Sequence, residues 1–410
     1  MSKINLLTGK RILLGVTGSI ACYKAVDLAS KLTQAGAEVD VILTEGAQRF
    51  VMPLTFRSVT GRPSYTDMWS LDDHVRHVGL GETADLFVIA PATAHTMAKL
   101  ATGLADNLLT VTALAARCPI LIAPAMDGGM YGHPATQANV ATLRERGVQF
   151  AGPAVGRMAS GLAGLGRMVE PAELLGFIRQ AVAQGGPLAG RKVVVSTGPT
   201  REPLDPVRFI SNRSTGKQGL AVAQAALDAG ADVTVVHGPI SEPIPFGATA
   251  VPVQTTEQMG EAVLSAAKDA DVLFMVAAVA DFRPNTQSDK KIKKTDEQWG
   301  LAIGLEVTLD ILTAVKTERD KSGYPRIVLG FAAETHNAFE YGRDKLLRKG
   351  LNFIAVNDVT DQGAGFAVDT NKVLLLSSAG VVEEMPMQSK TAVAERLVHH
   401  VANSLNGSAH

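Results

Sequence analysis

The segment 124–131 combines residue types that suit the wall of a site for a flat aromatic cofactor. It reads Pro-Ala-Met-Asp-Gly-Gly-Met-Tyr and follows the apolar run 120–123, which is typical of a buried strand. Met126, Asp127 and the glycines around them make a poor turn and a poor core. Because open α/β sheets bind ligands beyond the carboxyl ends of their strands, we expect this segment to line a binding crevice.

Three turns in the first half follow predicted strands and could hold a phosphate. The first contains Gly18 and Ser19, the second Thr44, and the third Thr93 and Ala94. The amides and dipole of a helix N-terminus favour an anion, and glycine lets it approach. The first turn lacks the GxGxxG pattern, which favours a mononucleotide over a dinucleotide. Each turn alone is also typical of an ordinary βα connection, whereas three at one sheet edge indicate a ligand site.

His77 is a candidate for proton transfer. It belongs to a histidine pair near carboxylates, within the segment 73–80. Such a pair is common on polar surfaces and at helix caps. A neutral imidazole near pH 7 is also the natural proton shuttle among side chains.

The segment 211–217 in the second half is rich in hydrogen-bond donors and leads into a predicted helix. Its Gly-Lys pair suggests a P-loop, but Ser211 stands where the first glycine belongs and Gln218 replaces the required Ser or Thr. Two interpretations stay open. The segment is an N-cap turn, or it is a site for an anionic ligand built from backbone amides and side chains.

Lysines cluster at 290–294 in a chain that is nearly neutral overall. Such a run is usually a solvated loop. It follows Asp281, which comes shortly after the predicted strand 271–276, and a carboxylate there could hold Mg²⁺ while the lysines screen phosphates. Lys345 and Lys349 are spaced i,i+4 on one face of a predicted helix and would point the same way.

Both halves alternate between strands and helices, which predicts an α/β protein of two doubly wound, Rossmann-like domains. Continuous apolar strands imply parallel sheets covered on both faces. A Gly/Pro-rich connector at 184–190 places the domain boundary, giving domains 1–189 and 190–410. The predicted strands are 11–16, 38–43, 86–90, 120–123, 148–150, 192–196, 232–236, 271–276, 326–330 and 352–356, with 373–377 as an antiparallel edge strand. The predicted helices are 20–35, 93–101, 106–116, 134–146, 217–229, 256–269, 336–349 and 388–403.

Composition excludes several classes of protein. The 46% of hydrophobic and 19% of charged residues are typical of a globular chain. The 39 basic and 40 acidic residues nearly cancel, so no global field favours nucleic acid or a membrane. Cys22 and Cys118 form no CxxC pair, which argues against a disulfide framework and a structural metal and fits a reducing cytoplasm. The first apolar run, 12–16, is too short for a signal sequence or a membrane span.

The first half resembles the flavin-containing cysteine decarboxylases. The resemblance is carried by His77-Val78, by 91–94 and 105–109, and by Pro124-Ala125-Met126 with Met130. It implies a flavodoxin-like flavoprotein domain with His77 as the catalytic histidine. It also implies oxidative decarboxylation of phosphopantothenoylcysteine, followed by reduction to 4′-phosphopantetheine. The residues that it implies for FMN binding are Gly18, Ser19, Thr44, Thr93, Ala94 and Met126.

Two positions depart from the pattern of that family. The family often has Pro-x-Met-Asn-x-x-Met, in which the asparagine holds the substrate carboxylate, and this chain has Asp127. A carboxylate that faces another repels it unless one is protonated. The segment 158–168 matches a mobile substrate flap that often carries a cysteine as proton donor, and Ser160 stands in that place. A serine hydroxyl is a much weaker acid than a thiol.

The second half resembles the phosphopantothenate–cysteine ligase domain, through the segments 198–212 and 330–335. The resemblance implies that CTP activates the carboxylate of 4′-phosphopantothenate as an acyl-cytidylate, which cysteine attacks as CMP leaves. Asn212 would contact the acyl-cytidylate, Arg208 the phosphopantothenate side, and Lys291 the transferring phosphate, with Mg²⁺ held by Asp281. The residues that would line the site are Ala277, Asp281, Lys291, Leu309, Asp310, Ile311, Leu312, Phe331, Lys345 and Lys349.

Together the halves resemble the bifunctional decarboxylase and ligase family of coenzyme A biosynthesis over nearly the whole chain. The implied partners are 4′-phosphopantothenate, cysteine and CTP. The implied assembly is a trimer of the first domain, with flavin at subunit borders, and a dimer of the second. Two rival functions stay open. One is a ligase whose flavin domain, altered at Asp127 and Ser160, yields an ene-thiol, and the other is a flavoprotein that only binds partners.

Overall fold

The computed structural model describes residues 6–69, 76–157, 161, 163–293, 302–334, 337–358, 365 and 368–407. The chain forms two compact units, Met1–Gln184 and Gly185–His410. The division between them lies inside the Gly/Pro-rich connector 184–190, which also contains the boundary expected after residue 189. None of the helices in the described part of the chain combines the length and the apolarity that crossing a membrane requires.

The first unit alternates between strands and helices along its whole length. Its strands are β1 (Arg11–Val16), β2 (Glu38–Leu43), β3 (Ser64–Tyr65), β4 (Leu86–Ala92), β5 (Ile120–Pro124), β6 (Gln149–Phe150), β7 (Ala154–Arg157) and β8 (Ala163–Arg167). Its helices are α1 (Cys22–Gln34), α2 (Glu45–Gln48), α3 (Pro53–Thr60), α4 (Arg76–Thr83), α5 (Ala94–Thr102), α6 (Leu108–Ala115), α7 (Gly128–Gly132), α8 (Pro134–Glu145) and α9 (Pro171–Ala183).

Six strands of this unit form one parallel sheet in the order β3-β2-β1-β4-β5-β6. The central strands are buried along nearly their whole length, because helices cover both faces of the sheet. The strand order reverses between β1 and β4, and the predicted ligand turns follow these two strands and β2. The remaining strands, β7 and β8, pair as an antiparallel hairpin.

The second unit repeats this plan with more strands. Its strands are β9 (Lys192–Thr197), β10 (Arg201–Pro203), β11 (Phe209–Ser211), β12 (Asp232–His237), β13 (Thr249–Pro252), β14 (Val272–Met275), β15 (Phe282–Pro284), β16 (Leu305–Val307), β17 (Ile327–Glu334), β18 (Phe353–Asp358), β19 (Thr370–Ser377) and β20 (Gly380–Ser389). Its helices are α10 (Lys217–Asp228), α11 (Thr256–Ala267), α12 (Ile311–Ser322), α13 (Ala338–Lys349) and α14 (Lys390–Gly407).

The main sheet of this unit has the order β13-β12-β9-β14-β17-β18-β19-β20. The first six of these strands are parallel, and β19 and β20 add an antiparallel edge. The order reverses between β9 and β14. The antiparallel strand expected at 373–377 is confirmed as part of β19, and the expectation of two doubly wound α/β domains is confirmed. Two short ribbons, β10-β11 and β15-β16, stand beside the sheet.

The prediction omitted short and edge elements, and it also missed the longer helices α9 and α12, of which α9 has a clear apolar face. In the first unit these are β3, the β7-β8 hairpin and the helices α2, α3, α4, α7 and α9. In the second unit they are β10, β11, β13, β15, β16, β20 and α12. Residues of β16 are exposed throughout, and β20 is an edge strand whose pairing with β19 is interrupted by register shifts, so neither shows the pattern of a buried strand.

Candidate functional sites

The carboxyl ends of β1 and β4 are joined by the hydroxyl of Thr17, which is buried. Its Oγ1 donates to the carbonyl oxygen of Pro91 at 2.8 Å and accepts from the backbone N–H of Thr93 at 3.1 Å. These contacts hold two of the predicted turns together where the strand order reverses. Open α/β sheets bind ligands in the crevice at this point.

The turns after β1 and β2 approach each other closely. A Cβ on Gly18 would lie 2.9 Å from the carbonyl carbon of Gly46, so only glycine fits there without a shift of the backbone. The helix α1 begins without a side-chain cap, and Ser19 Oγ accepts from Ala21 N–H at 3.3 Å. The first turn thus presents backbone rather than bulk at the predicted phosphate site.

The hydroxyls of Thr44 and Thr93 both cap helices. Thr44 Oγ1 accepts from Ala47 N–H, and Thr93 Oγ1 accepts from Thr96 N–H, each at 3.3 Å. The capping role expected of an ordinary βα turn is therefore present at both positions. The caps fix the orientation of both hydroxyls at the turns where the ligand site is predicted.

A cavity of about 310 Å³ lies between α7 and the β7-β8 hairpin. Asp127, Tyr131 and Leu165 are among the residues that line it. The Asp127 carboxylate caps α7, since Oδ1 accepts from Gly129 N–H at 3.0 Å. Met126 is half-buried against the core, whereas Met130 is exposed. The predicted wall thus consists of Met126 and Asp127, and Met130 faces away from the protein interior.

The hairpin is joined to this wall at Gly166. Met126 N–H donates to the carbonyl oxygen of Gly166 at 3.0 Å, and a Cβ on Gly166 would lie 2.4 Å from the carbonyl oxygen of Met126. Lys24, which is buried, donates from Nζ to the carbonyl oxygen of Met168 and to Glu170 Oε1, both at 2.9 Å. The end of β8 and the residues that follow it are therefore held both by the Met126 backbone and by the Lys24 side chain.

We expect Gly166→Ala to loosen the hairpin. The added methyl group meets a backbone oxygen that cannot move without shifting β5, so we expect a loss of about 1–3 kcal/mol of stability. Thermal unfolding of the full chain and the rate of trypsin cleavage at Arg157 and Arg167 measure the effect. Gly132→Ala is the matched control, because a Cβ there meets nothing within 4 Å. Equal behaviour of the two variants would contradict the expectation.

Two residues of this unit were predicted to transfer protons, His77 and Ser160. The structure describes only the first of them. His77 lies in the first turn of α4 and is half-buried, and it lines neither of the two cavities. The helix α4 packs on α6 so closely that a Cβ on Gly81 would lie 3.0 Å from Ala116 N. Ser160 lies outside the described residues, so its prediction stays as made.

In the second unit a cavity of about 910 Å³ opens where the strand order reverses between β9 and β14. It collects residues that are far apart in the sequence and that were predicted to line one site. These are Asn212, Ala277, Asp281, Leu309, Asp310, Ile311, Leu312, Phe331, Lys345 and Lys349. The size of the cavity suits a nucleotide together with a second substrate.

Asn212 fixes one wall of this cavity. Its Nδ2 donates to the carbonyl oxygens of Ala278 and Val279, at 3.1 and 3.0 Å, and so ties the segment after β11 to the segment after β14. In the second of these segments, the carbonyl oxygen of Ala280 accepts a hydrogen bond from Thr308 Oγ1 at 2.6 Å. Asp281, one residue further on, is thus presented at the rim of the cavity by a backbone held from two sides.

The two lysines of α13 contact different elements, Lys345 the strand β17 and Lys349 the start of α12. Lys345 Nζ donates to Phe331 O at 3.1 Å. Lys349 forms an ion pair with Asp310, which caps α12, and donates to Thr313 Oγ1 at 2.9 Å. Burial raises the pKa of Asp310, but the hydrogen bonds from Lys349 and Thr313 outweigh it and hold this pKa below the usual value. The two lysines predicted to share a helix face do line the same cavity.

Many residues that line the cavity were not among the predicted site residues, and four of them are polar residues on elements that the site prediction did not use. Lys217 forms an ion pair with Asp369 at 2.6 Å, which raises the pKa of Lys217. Lys390 is buried at the start of α14, and burial, aided by the charge of Lys217, lowers its pKa. The remaining two are Asn357 and Asn371, both buried. Asn357 lies near the end of β18 and comes directly after the predicted strand 352–356, which is the signal that identified Asp281, so the same rule could have found it.

Arg208 and Lys291 do not line the cavity. Arg208 contacts Asp205 and the carbonyl oxygen of Ile292, and Lys291 is exposed on the segment beside it. The rest of the predicted cluster agrees with a solvated loop as far as it is described, and Lys294 lies outside the described residues. Among the described residues there is no group of three or more His, Cys, Asp or Glu side chains that could hold a metal ion.

Comparison with known proteins assigns a family to each unit. Residues 2–183 match the family described as Flavoprotein, and residues 188–405 match the DNA/pantothenate metabolism flavoprotein C-terminal domain. The coenzyme A biosynthesis bifunctional protein CoaBC of Bacillus subtilis is 44% identical over 402 residues, covering 97% of this chain and 98% of that protein. Its namesake from Mycobacterium tuberculosis is 45% identical over 409 residues, covering 97% of each. A solved structure of a CoaBC C-terminal domain is 35% identical, covers 54% of this chain and 99% of that chain, and has a TM-score of 0.46.

Proposed function

This chain belongs to the family of the coenzyme A biosynthesis bifunctional protein CoaBC, and we propose that it makes 4′-phosphopantetheine from 4′-phosphopantothenate, cysteine and CTP. As a member of this family it is a phosphopantothenate–cysteine ligase and a phosphopantothenoylcysteine decarboxylase. Beyond this membership, we propose that the nucleotide is CTP and the flavin is FMN, and we assign the residues that bind them. The observation that carries it is the convergence of the predicted ligase residues on one cavity, all except Arg208 and Lys291.

In the ligase step the cavity of the second unit binds CTP. Lys345 and Lys349 face the same space as Asp281, so positive charge and a carboxylate are both available to a triphosphate. Asp281 would hold Mg²⁺ together with phosphate oxygens, and the ion would neutralise phosphate charge when bound. Carboxylate oxygen is the ligand type that Mg²⁺ prefers, and the small number of protein ligands is typical of nucleotide-bound magnesium.

Bond formation in this step occurs at the rim of the cavity. The 4′-phosphopantothenate carboxylate attacks the α-phosphorus of CTP, and pyrophosphate leaves. The cysteine amine then attacks the acyl carbon, and CMP leaves. Asn212 already donates hydrogen bonds to the segment 278–279, and it holds the acyl-cytidylate against that segment. Lys291 supplies positive charge at the transferring phosphate, and Arg208 contacts the phosphopantothenate side.

In the decarboxylase step the crevice of the first unit binds FMN through Gly18, Ser19, Thr44, Thr93, Ala94 and Met126. The residues fit a flavin mononucleotide, because no side chain stands between Gly18 and Gly46 at the turn proposed to hold the phosphate, and half-buried Met126 offers an apolar side chain on which the flavin ring would pack. When bound, FMN supplies a two-electron acceptor and donor. His77 moves a proton of the substrate, and Asp127 lines the cavity beside the hairpin.

The product formed from phosphopantothenoylcysteine tests this proposal. We expect the holoenzyme to release carbon dioxide and to give the saturated thiol, which mass spectrometry detects as a species two hydrogens heavier than the ene-thiol. Pyrophosphate release that requires CTP, 4′-phosphopantothenate and cysteine together tests the other half. An ene-thiol product would favour the rival in which Asp127 and Ser160 alter the flavin chemistry. Absence of both activities would leave only a partner-binding flavoprotein.

We propose that the chain also assembles through both units, as trimers of the first and dimers of the second. In the second unit the β15-β16 ribbon exposes Phe282, Leu305 and Val307, and nearby Phe209 is exposed as well. Apolar side chains grouped in this way on a surface are typical of interfaces between subunits. Light scattering of the purified protein gives the mass of the assembly, and a monomer would contradict the proposal.

A further inference from the structure

The two predicted ligase residues that lie outside the cavity are connected to each other. Arg208 Nη2 donates to the carbonyl oxygen of Ile292 at 2.9 Å, and Ile292 is the neighbour of Lys291. The N–H of Ile292 donates in turn to Asp205 Oδ2 at 3.1 Å. Both backbone groups of Ile292 are therefore held by the turn that carries Arg208. Ser288 N–H adds a bond to Leu204 O at 3.1 Å.

Asp205 is the centre of this arrangement. Its carboxylate accepts from the N–H groups of Val207 and Arg208 at 2.8 and 2.9 Å, and from the Arg208 guanidinium at 3.0 and 2.5 Å. The side chain is buried, although Arg208 and Ile292 are partly in contact with solvent. The Arg208 guanidinium outweighs the effect of burial, and together with the amides of Val207, Ile292 and Arg208 it holds the pKa of Asp205 well below its usual value.

We propose that Asp205 is a positioning residue of the ligase, which holds Arg208 and the Lys291 segment together as one unit. An exposed lysine segment has many backbone and side-chain conformations, and a backbone pinned beside Lys291 limits them. The carboxylate itself is turned into the protein by its hydrogen bonds and does not line the cavity. This inference depends on the roles proposed above for Lys291 and Arg208.

The test is a double-mutant cycle in the full-length holoenzyme. We expect Asp205→Asn to lower the ligase kcat about tenfold and to raise KM for 4′-phosphopantothenate, while KM for CTP stays within about twofold. In the Lys291→Gln background the same change is expected to lower kcat no further, because the group it positions is already gone. Trypsin cleavage after Lys290 and Lys293 is expected to be faster in Asp205→Asn.

Two further variants make the result decisive. Ile292→Pro removes the N–H that Asp205 binds and leaves the Asp205–Arg208 pair in place, so it should reproduce the loss of kcat even if Asp205→Asn does not fold. Asp269→Asn is the matched control, because Asp269 is also a carboxylate paired with a cation, Lys192, but lies away from the cavity. It should keep the wild-type kcat and KM.

The outcomes separate this inference from the proposed function. If Asp205→Asn and Lys291→Gln lower kcat independently, so that their effects multiply, the positioning role is overturned. The same holds if Lys291→Gln abolishes ligation while Asp205→Asn and Ile292→Pro retain the wild-type kcat. If Lys291→Gln itself keeps full ligation, the proposed role of Lys291 fails first, and the inference fails with it.

Discussion

Lys291→Gln is expected to lower the ligase kcat by about 100-fold to 1000-fold, the range measured when one preorganised stabiliser of a charged transition state is removed. Lys291 is exposed and lies outside the cavity that would bind CTP, so its charge is not needed to hold the ground state. We therefore expect KM for CTP to stay nearly constant while kcat falls. The measurement is CTP-dependent pyrophosphate release with 4′-phosphopantothenate and cysteine at saturation.

The controls for this prediction lie in the same molecule. Lys293→Gln removes an equal charge from the same exposed segment and should have a small effect, since Lys293 is not predicted to reach the phosphate. Decarboxylation of supplied phosphopantothenoylcysteine should be unchanged, because that reaction belongs to the first unit. Equal losses in the two lysine variants would assign the effect to general electrostatics. A parallel loss of decarboxylation without unfolding would contradict two separate sites.

The architecture could be predicted because its central strands are continuous apolar runs. Strands such as β4 and β14 are buried on both faces, and only a parallel sheet between helix layers buries them so completely. Once the strands were located, the residues that follow them could be assigned to one edge of the sheet. That rule predicted ligand sites at Gly18, Thr93 and Asp281 without any knowledge of side-chain contacts, and Asp281 does line the cavity of the second unit.

The residues that the sequence did not identify reach the site through tertiary structure. Lys390 begins a helix far along the chain, and nothing in its local sequence distinguishes it from a surface lysine. It becomes part of the cavity only because α14 packs on α10, whose first residue is Lys217. Conversely, Arg208 and Lys291 carry the right chemistry in the right motif, but they lie in the loops of the two ribbons and do not line the cavity, although Phe282 and Val307 of the β15-β16 ribbon do.

The turn 211–217 is ordered by local bonds, but no side chain of the described residues caps α10. Gly216, the N-cap residue, adopts a positive φ of 79°, and its N–H donates to Ser214 Oγ at 3.3 Å. The same segment also lines the cavity. Because a donor-rich turn that is already ordered before the ligand arrives loses less conformational entropy on binding an anion, the local order of this turn favours the anion-site interpretation.

His77→Asn is expected to abolish decarboxylation while leaving ligation intact. An asparagine keeps the size and hydrogen-bonding capacity of the side chain but does not exchange a proton near neutral pH. General acid–base groups contribute about 100-fold to 10,000-fold, so a loss in this range is expected in the rate of carbon dioxide release. His77 is half-buried in the first turn of α4, where asparagine is tolerated, so the change should leave the fold of the unit unaltered.

The readouts for His77 separate chemistry from binding. The visible flavin absorbance of the purified variant should match that of the wild type, since His77 is not among the residues proposed to hold FMN. His133→Asn is the matched control, because His133 is a histidine of the same unit that caps α8 through Nδ1, and asparagine caps a helix equally well. A decarboxylase rate that survives in His77→Asn but falls in His133→Asn would transfer the proton-moving role away from α4. Loss of flavin from His77→Asn would instead make His77 part of the cofactor site.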